Sequence, residues 1–239
     1  MPLVLLLAYA CLPADPESAV FSGVVRSGTA HDGAGLAGAT LTSIDPDGKV
    51  VATATSDADG LFEIEIPWSS VFAVVVEADG HVPTSMSGLG MTEQVLAPDG
   101  AVFARSELWW DEQTTLWQGC EGLEDGPTVE GILRAYLPVP GDEVDTLPVV
   151  NTGELTLDVG PDTVEFPCYL DDSGAFDTQA AVTGDTGRFL FADAPPGWSV
   201  VRPTFTAEGA RNAGIDQAVW IPESGVVSLD PAFVDTPGL

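Results

Sequence analysis

Residues 53–64 read Thr-Ala-Thr-Ser-Asp-Ala-Asp-Gly-Leu-Phe-Glu-Ile, and residues 180–191 read Ala-Ala-Val-Thr-Gly-Asp-Thr-Gly-Arg-Phe-Leu-Phe. Both set an Asp/Gly turn between strand-like segments, with Phe62 or Phe189 two residues past Gly60 or Gly187. Asp suits such turns because its side chain accepts backbone N–H bonds, and Gly because it takes positive φ without strain. A turn of this kind written twice predicts a tandem β-rich module.

Outward from the first turn, strand-like segments follow at close spacing: Val20–Arg26, Ala39–Ile44, Val50–Ser56, Leu61–Ile66 and Phe72–Glu77. Phe62-Glu63-Ile64-Glu65-Ile66 alternates cleanly, and Val50, Ala52 and Ala54 alternate with Val51, Thr53 and Thr55. A period of two sends one face to the core and the other to water. No stretch holds a helical period, so the expected fold is all-β. A second copy opens near Thr128, where Val129-Glu130-Gly131-Ile132-Leu133 matches Phe21-Ser22-Gly23-Val24-Val25. Each copy places a Pro and a Trp after the turn (Pro67-Trp68; Pro196-Gly197-Trp198) and ends a β-run on an acidic-Gly pair. The second copy is longer before its turn. That insert carries Cys168 and the acidic run Leu170-Asp171-Asp172-Ser173-Gly174, and is expected in a loop, where variation is tolerated and binding is often placed.

The motifs of the first copy resemble a carboxypeptidase regulatory-like domain, a transthyretin-like (prealbumin-type) sandwich of about seven strands. The carriers are Gly23-Val24-Val25, Leu36-Ala37-Gly38-Ala39-Thr40, Ser56-Asp57-Ala58-Asp59-Gly60-Leu61-Phe62 and Ala78-Asp79-Gly80-His81. Residues 20–84 carry the resemblance best, and 128–210 carry it more loosely. It implies two tandem transthyretin-like (Ig-like) antiparallel β-sandwich domains and a non-catalytic accessory role. The expected organisation is a signal peptide and tether over 1–19 and a first sandwich over 20–104. A Trp/acidic connecting segment over 105–127 and a second sandwich over 128–239 complete it.

Leu3 to Ala10 form an apolar run ending before Cys11. It is shorter than the ~20 residues a bilayer-spanning helix needs, and reads as an export signal with small residues at Ala8 and Ala10. Cys directly after them resembles a bacterial lipoprotein box, which makes Cys11 the lipidation site and the anchor to the envelope membrane. The alternative is a cleaved signal and a secreted or periplasmic protein. Cys120 and Cys168 remain as an even pair, and in an exported chain they are expected to form a disulfide.

Of 239 residues, 37 are acidic and 7 basic, a net charge of −30. That surface repels nucleic acid and anionic lipid headgroups, while 45% hydrophobic content supports a folded core. No cofactor is expected. His31 and His81 lie in separate loops without metal-ligand spacing, and serine lacks a base to activate it, so neither a zinc hydrolase nor a serine enzyme is expected. Internal Lys–Asn isopeptide bonds, known in a sister family of surface sandwiches, are excluded because neither opening strand carries a lysine. Asp45, Asp47, Asp57 and Asp59, or Asp171, Asp172 and Asp177 in the insert, raise the question of calcium. Turns this short cannot wrap an ion and use Asp and Gly for their own geometry, so no metal site is assigned.

The segment Leu108-Trp109-Trp110-Asp111-Glu112-Gln113-Thr114-Thr115-Leu116-Trp117 bridges the copies. Read as a strand, it exposes at most one of the adjacent tryptophans, and Trp109 or Trp110 is expected to fill the junction. The leading function is a non-catalytic envelope lipoprotein, a structural or protein-interaction module whose partners are envelope or extracellular proteins or glycans. The alternatives are a carbohydrate-binding module using Trp109, Trp110 and Trp117, or an accessory subunit of a secreted hydrolase.

Overall fold

The computed structural model describes residues 18–28, 34–67, 71–89, 100–123, 126–136, 150, 153–160, 163–165, 167–171, 173, 175–177, 180–207 and 210–235. Cys11, His31 and Asp172 lie outside the described residues. Eight strands come first: β1 (Ser18–Ser27), β2 (Thr40–Ile44), β3 (Val50–Thr55), β4 (Leu61–Pro67), β5 (Phe72–Glu77), β6 (His81–Val82), β7 (Thr84–Leu89) and β8 (Gly100–Ser106). A helix, α1 (Glu107–Leu116), follows. Among the described residues nine strands follow: β9 (Thr128–Tyr136), β10 (Gly153–Gly160), β11 (Thr163–Glu165), β12 (Cys168–Tyr169), β13 (Arg188–Phe191), β14 (Gly197–Ala207), β15 (Ala210–Ala213), β16 (Gln217–Ile221) and β17 (Val226–Asp235). The fold is all-β and sandwich-like.

One pairing scheme occurs twice. β1 pairs antiparallel with β4 and parallel with β8; β9 pairs antiparallel with β13 and parallel with β17. β2 sits between β3 and β5 with β7 beyond, as β10 sits between β11 and β14 with β16 beyond. The register agrees as well, since Gly23 faces Phe62 and Gly131 faces Phe189. A Cβ on Gly131 would lie 2.7 Å from the Phe189 ring and would meet the Leu229 carbonyl oxygen. Only glycine leaves room for that ring.

The repeated turn does the same work in both places. Gly60 has φ +83° and Gly187 φ +66°, and their carbonyls accept the Val25 and Leu133 N–H groups at 2.8 and 2.9 Å. Four residues before each glycine sits a buried hydroxyl. Ser56 Oγ accepts from Ala39 N at 2.9 Å and donates to Leu36 O at 2.6 Å. Thr183 Oγ1 accepts from Gly153 N at 2.9 Å and donates to Val150 O at 2.5 Å. Each satisfies a donor and an acceptor on the chain entering β2 or β10. Val150 and Gly153 thus stand where Leu36 and Ala39 stand, although the second copy lacks that motif.

Two cores follow from the alternation. Phe21, Val25, Leu41, Phe62, Ile64, Ile66, Phe72, Val74 and Val76 form one, and Val129, Leu133, Leu155, Leu157, Phe189, Phe191, Val201, Val219 and Ile221 form the other. The sheets do not divide so neatly. An eight-stranded sheet runs β12-β13-β9-β17-β7-β5-β2-β3, carrying strands from both sets. The seam is β17, which pairs parallel with β9 on one side and with β7 on the other, Val226 opposite Thr84 and Val227 opposite Ser85. Pro231 cannot donate to a ladder, and the β17–β9 register shifts between Leu229 and Ala232 to accommodate it.

Two expectations need correction. The segment Leu108–Trp117 is not a strand: Glu107–Leu116 is helical, so strand alternation does not govern its tryptophans. Ser106 caps it, its hydroxyl accepting the Trp109 N–H at 3.1 Å, and Glu107 in the first turn favours the positive end of the helix. The insert before the second turn is also more than loop. Its β12 adds an edge strand to β13, pairing Cys168 with Leu190 and Tyr169 with Phe189.

Candidate functional site

The chemistry-bearing side chains gather where the two strand sets meet. Arg105, at the end of β8, is 6% exposed. Its Nη2 donates to Ser228 Oγ on β17 at 2.6 Å, and Ser228 in turn donates to Glu130 Oε1 on β9 at 2.6 Å. Arg105 Nη2 also lies 3.4 Å from Glu130 Oε1, and Nη1 donates to Gly28 O at 3.2 Å. A buried guanidinium is tolerable only when paired and hydrogen-bonded, so this relay ties β8 to β9 and β17.

Above it sit the aromatic residues of α1. The Arg105 guanidinium stacks on Trp109, 5.1 Å from its centroid. Trp117, just past the helix, is 1% exposed and meets Trp109 and Trp110 edge to face, both at 6.0 Å. Trp109 and Trp110 are half-buried and tilted 42° to one another. The three rings enclose each other rather than lie side by side as a flat platform. Cys120 and Cys168 form a disulfide that holds the end of this segment to β12. Leu170 and Leu190 complete the cluster.

A second aromatic contact lies on the other face of β5. Val74 and Val76 enter the first core, while Ala73 and Val75 join Ile44 beneath Trp198 and Trp220. These tryptophans face one another across the β14–β16 ladder, edge to face at 5.7 Å. Trp198 Nε1 donates to Asp45 O at 2.8 Å. Sequence reasoning gave the junction to Trp109 or Trp110 and missed Trp198, Trp220 and Arg105. The signal was present: Phe72-Ala73-Val74-Val75-Val76 is apolar throughout, as a strand buried on both faces must be.

The acidic turns are occupied by their own backbone. Asp45 Oδ1 accepts from Asp47 N and Lys49 N, Asp57 Oδ1 from Asp59 N and Leu61 N, and Asp171 Oδ1 from Ser173 N and Ala175 N, all at 2.8–3.0 Å. Among the described residues no group of three or more His, Cys, Asp or Glu is placed to hold a metal ion. His81 is half-buried on β6; its Nδ1 lies 3.0 Å from Asp79 O and its Nε2 2.8 Å from Ser27 Oγ. No helix among the described residues is long and apolar enough to cross a membrane.

Tyr169 is buried on β12, its hydroxyl accepting the Leu155 N–H at 3.0 Å. Burial pushes its pKa up; the Leu155 hydrogen bond opposes the shift and the Glu154 charge adds to it. The folded state therefore holds this proton more tightly than the unfolded chain does. Stability is undiminished below the ordinary tyrosine value of ~10 and is lost as pH rises from there through the folded value. The thermal midpoint is expected to fall in alkali more steeply for the natural protein than for Tyr169→Phe. Parallel descents would contradict the assignment.

No family model matches the chain, and no curated protein matches it. Solved structures similar to it include the Bacillus anthracis TIE protein, at 14% identity and TM-score 0.28, with 90% of this chain aligned to 34% of that one. The chain thus spans about a third of that protein's length. The shaft pilin SpaA of Lactobacillus rhamnosus GG aligns at 9% identity and TM-score 0.28, covering 93% of this chain and 99% of that one. The Bacillus cereus major pilin BcpA, in its D312A form, aligns at 12% identity and TM-score 0.30, covering 86% and 69%. At these scores the likeness adds nothing to the fold read from the strands themselves.

Proposed function

We propose that this chain is a non-catalytic lipoprotein of the bacterial cell envelope, anchored through Cys11 and serving as a stiff structural or protein-interaction module. A carboxypeptidase regulatory-like sandwich over 20–104 and a second transthyretin-like sandwich with an insertion over 128–239 form its body, and residues 12–19 form the tether. The observation that carries the reading is the eight-stranded sheet that runs through both strand sets. Tandem domains joined only by a linker move relative to one another by default. Here β17 pairs with both sets, and the buried Arg105 relay and the Trp198–Trp220 pair cross the same junction. Such a joint suits a spacer that holds one end at a fixed orientation to the other.

The engagement of Trp109, Trp110 and Trp117 with each other and with Arg105 favours this over a carbohydrate platform. Partners are then envelope or extracellular proteins, with nucleic acid repelled by the net charge of −30. Anchoring is tested by fractionating cells that express the natural protein or Cys11→Ser. The natural protein is expected in the detergent-extracted membrane fraction and the variant in the soluble fraction. Retention of the variant on the membrane would sink the anchor.

A further inference from the structure

A pocket of about 240 Å³ opens beside the junction, lined by Arg105, Arg188, Trp109, Trp117, Gln113 and Glu130 among others. Two of the chain's seven basic residues face this one cavity, in a protein of net charge −30. Its polar inventory is lopsided. Arg105 Nε and Trp117 Nε1 are buried and have no hydrogen-bond partner among the described residues. Both belong to side chains more than nine-tenths buried, at 6% and 1% exposed. The half-buried Arg188 side chain, at the start of β13, makes no ion pair or hydrogen bond with the described residues. Guanidinium and indole nitrogens donate and cannot accept. Buried donors are nearly always satisfied, and Arg105 and Trp117, which carry these two open ones, both line this pocket.

We propose that this pocket binds a small organic carboxylate. An acceptor-only group suits the open donors of Arg105, Trp117 and Arg188, and the planar guanidinium fork matches a carboxylate in two-point geometry. The charge balance agrees: Glu130, already bonded by Ser228 and Arg105, offsets one arginine and leaves a single positive charge for a single anion. Size sets the class. The volume lies below the ~300 Å³ at which drug-sized pockets begin, enough for a carboxylate on a short body. Arg188 supplies the principal contact, Arg105 and Trp117 add donors from the buried side, and Gln113 on α1 stands at the rim. This site is independent of the spacer reading, because it needs neither the anchor nor a macromolecular partner.

The test titrates acetate, benzoate and D-glucuronate, each against its neutral counterpart acetamide, benzamide or D-glucose. Ionic strength is held near 0.15 M, where the repulsion of the acidic surface is screened within ~8 Å. Trp109 and Trp117 line the pocket, so intrinsic tryptophan fluorescence reports occupancy directly. At least one acid is expected to change the emission saturably and to raise the thermal midpoint, with its neutral counterpart inert. Arg188→Gln is expected to keep the fold and weaken that binding about 10- to 100-fold, the loss of one charge-assisted contact. Acids that act no differently from sodium chloride would overturn the proposal. So would an Arg188→Gln variant that binds as tightly as the natural protein.

Discussion

Replacing Glu130 with alanine is expected to destabilise the protein by about 3–5 kcal/mol, the usual cost of leaving a buried charge without its partner. The side chains of Arg105 and Glu130 are 7% and 14% exposed, so solvent screens the pair only weakly. Ser228 would lose its acceptor as well, and the relay between β8, β9 and β17 would end at an unpaired guanidinium. A loss of that size is a large fraction of the 5–15 kcal/mol typical of a folded domain. Urea unfolding followed by tryptophan emission and far-ultraviolet dichroism reads it directly. Glu130→Gln, which keeps an acceptor but not the charge, is expected to fall between the natural protein and alanine. A loss below about 1 kcal/mol for Glu130→Ala would show that the network does not hold the junction, since exposed ion pairs contribute that little.

Removing the Cys120–Cys168 disulfide is expected to cost about 4 kcal/mol, from the freedom regained by a loop spanning 48 residues in the unfolded chain. Its effect should also be local. Trp117, Cys120, Leu170 and Leu190 share one small cluster, and no residue within α1 itself is fully buried. The bond therefore fastens an element with little core of its own. In Cys120→Ser/Cys168→Ser, amide exchange is expected to quicken first in α1 and around β12, while the β2–β5 ladder stays protected. Uniform acceleration across all strands would mean that the bond acts only through the unfolded state.

The strands of the first set were legible because each carries its instruction locally. Leu61 to Ile66 alternates between exposed and buried, and the Asp45 and Asp57 turns close on their own side chains. The repeated turn was legible for the same reason, in Gly60 and Gly187 alike, whereas the register that sets Gly131 opposite Phe189 was not. The α1 segment was not. With Leu108 at 69% and Leu116 at 37% exposed and the tryptophans only half-buried, it has no apolar stripe to reveal a helical period. Its capping serine and the first-turn Glu107 were the signals that could have marked it. The Cys120–Cys168 pairing followed from an even count, whereas the side chains that Arg105 meets, Glu130 and Ser228, are 25 and 123 positions away and no local pattern joins them. Least legible of all was β17. Its composition says strand, but nothing in Val226–Asp235 says that it lies between β9 and β7.

That placement is the centre of the account, and calorimetric unfolding tests it most directly. A sheet shared by both strand sets, with a buried ion pair across the seam, predicts one cooperative transition whose calorimetric and van't Hoff enthalpies agree. Two separable transitions in the natural protein, each with its own midpoint, would contradict it.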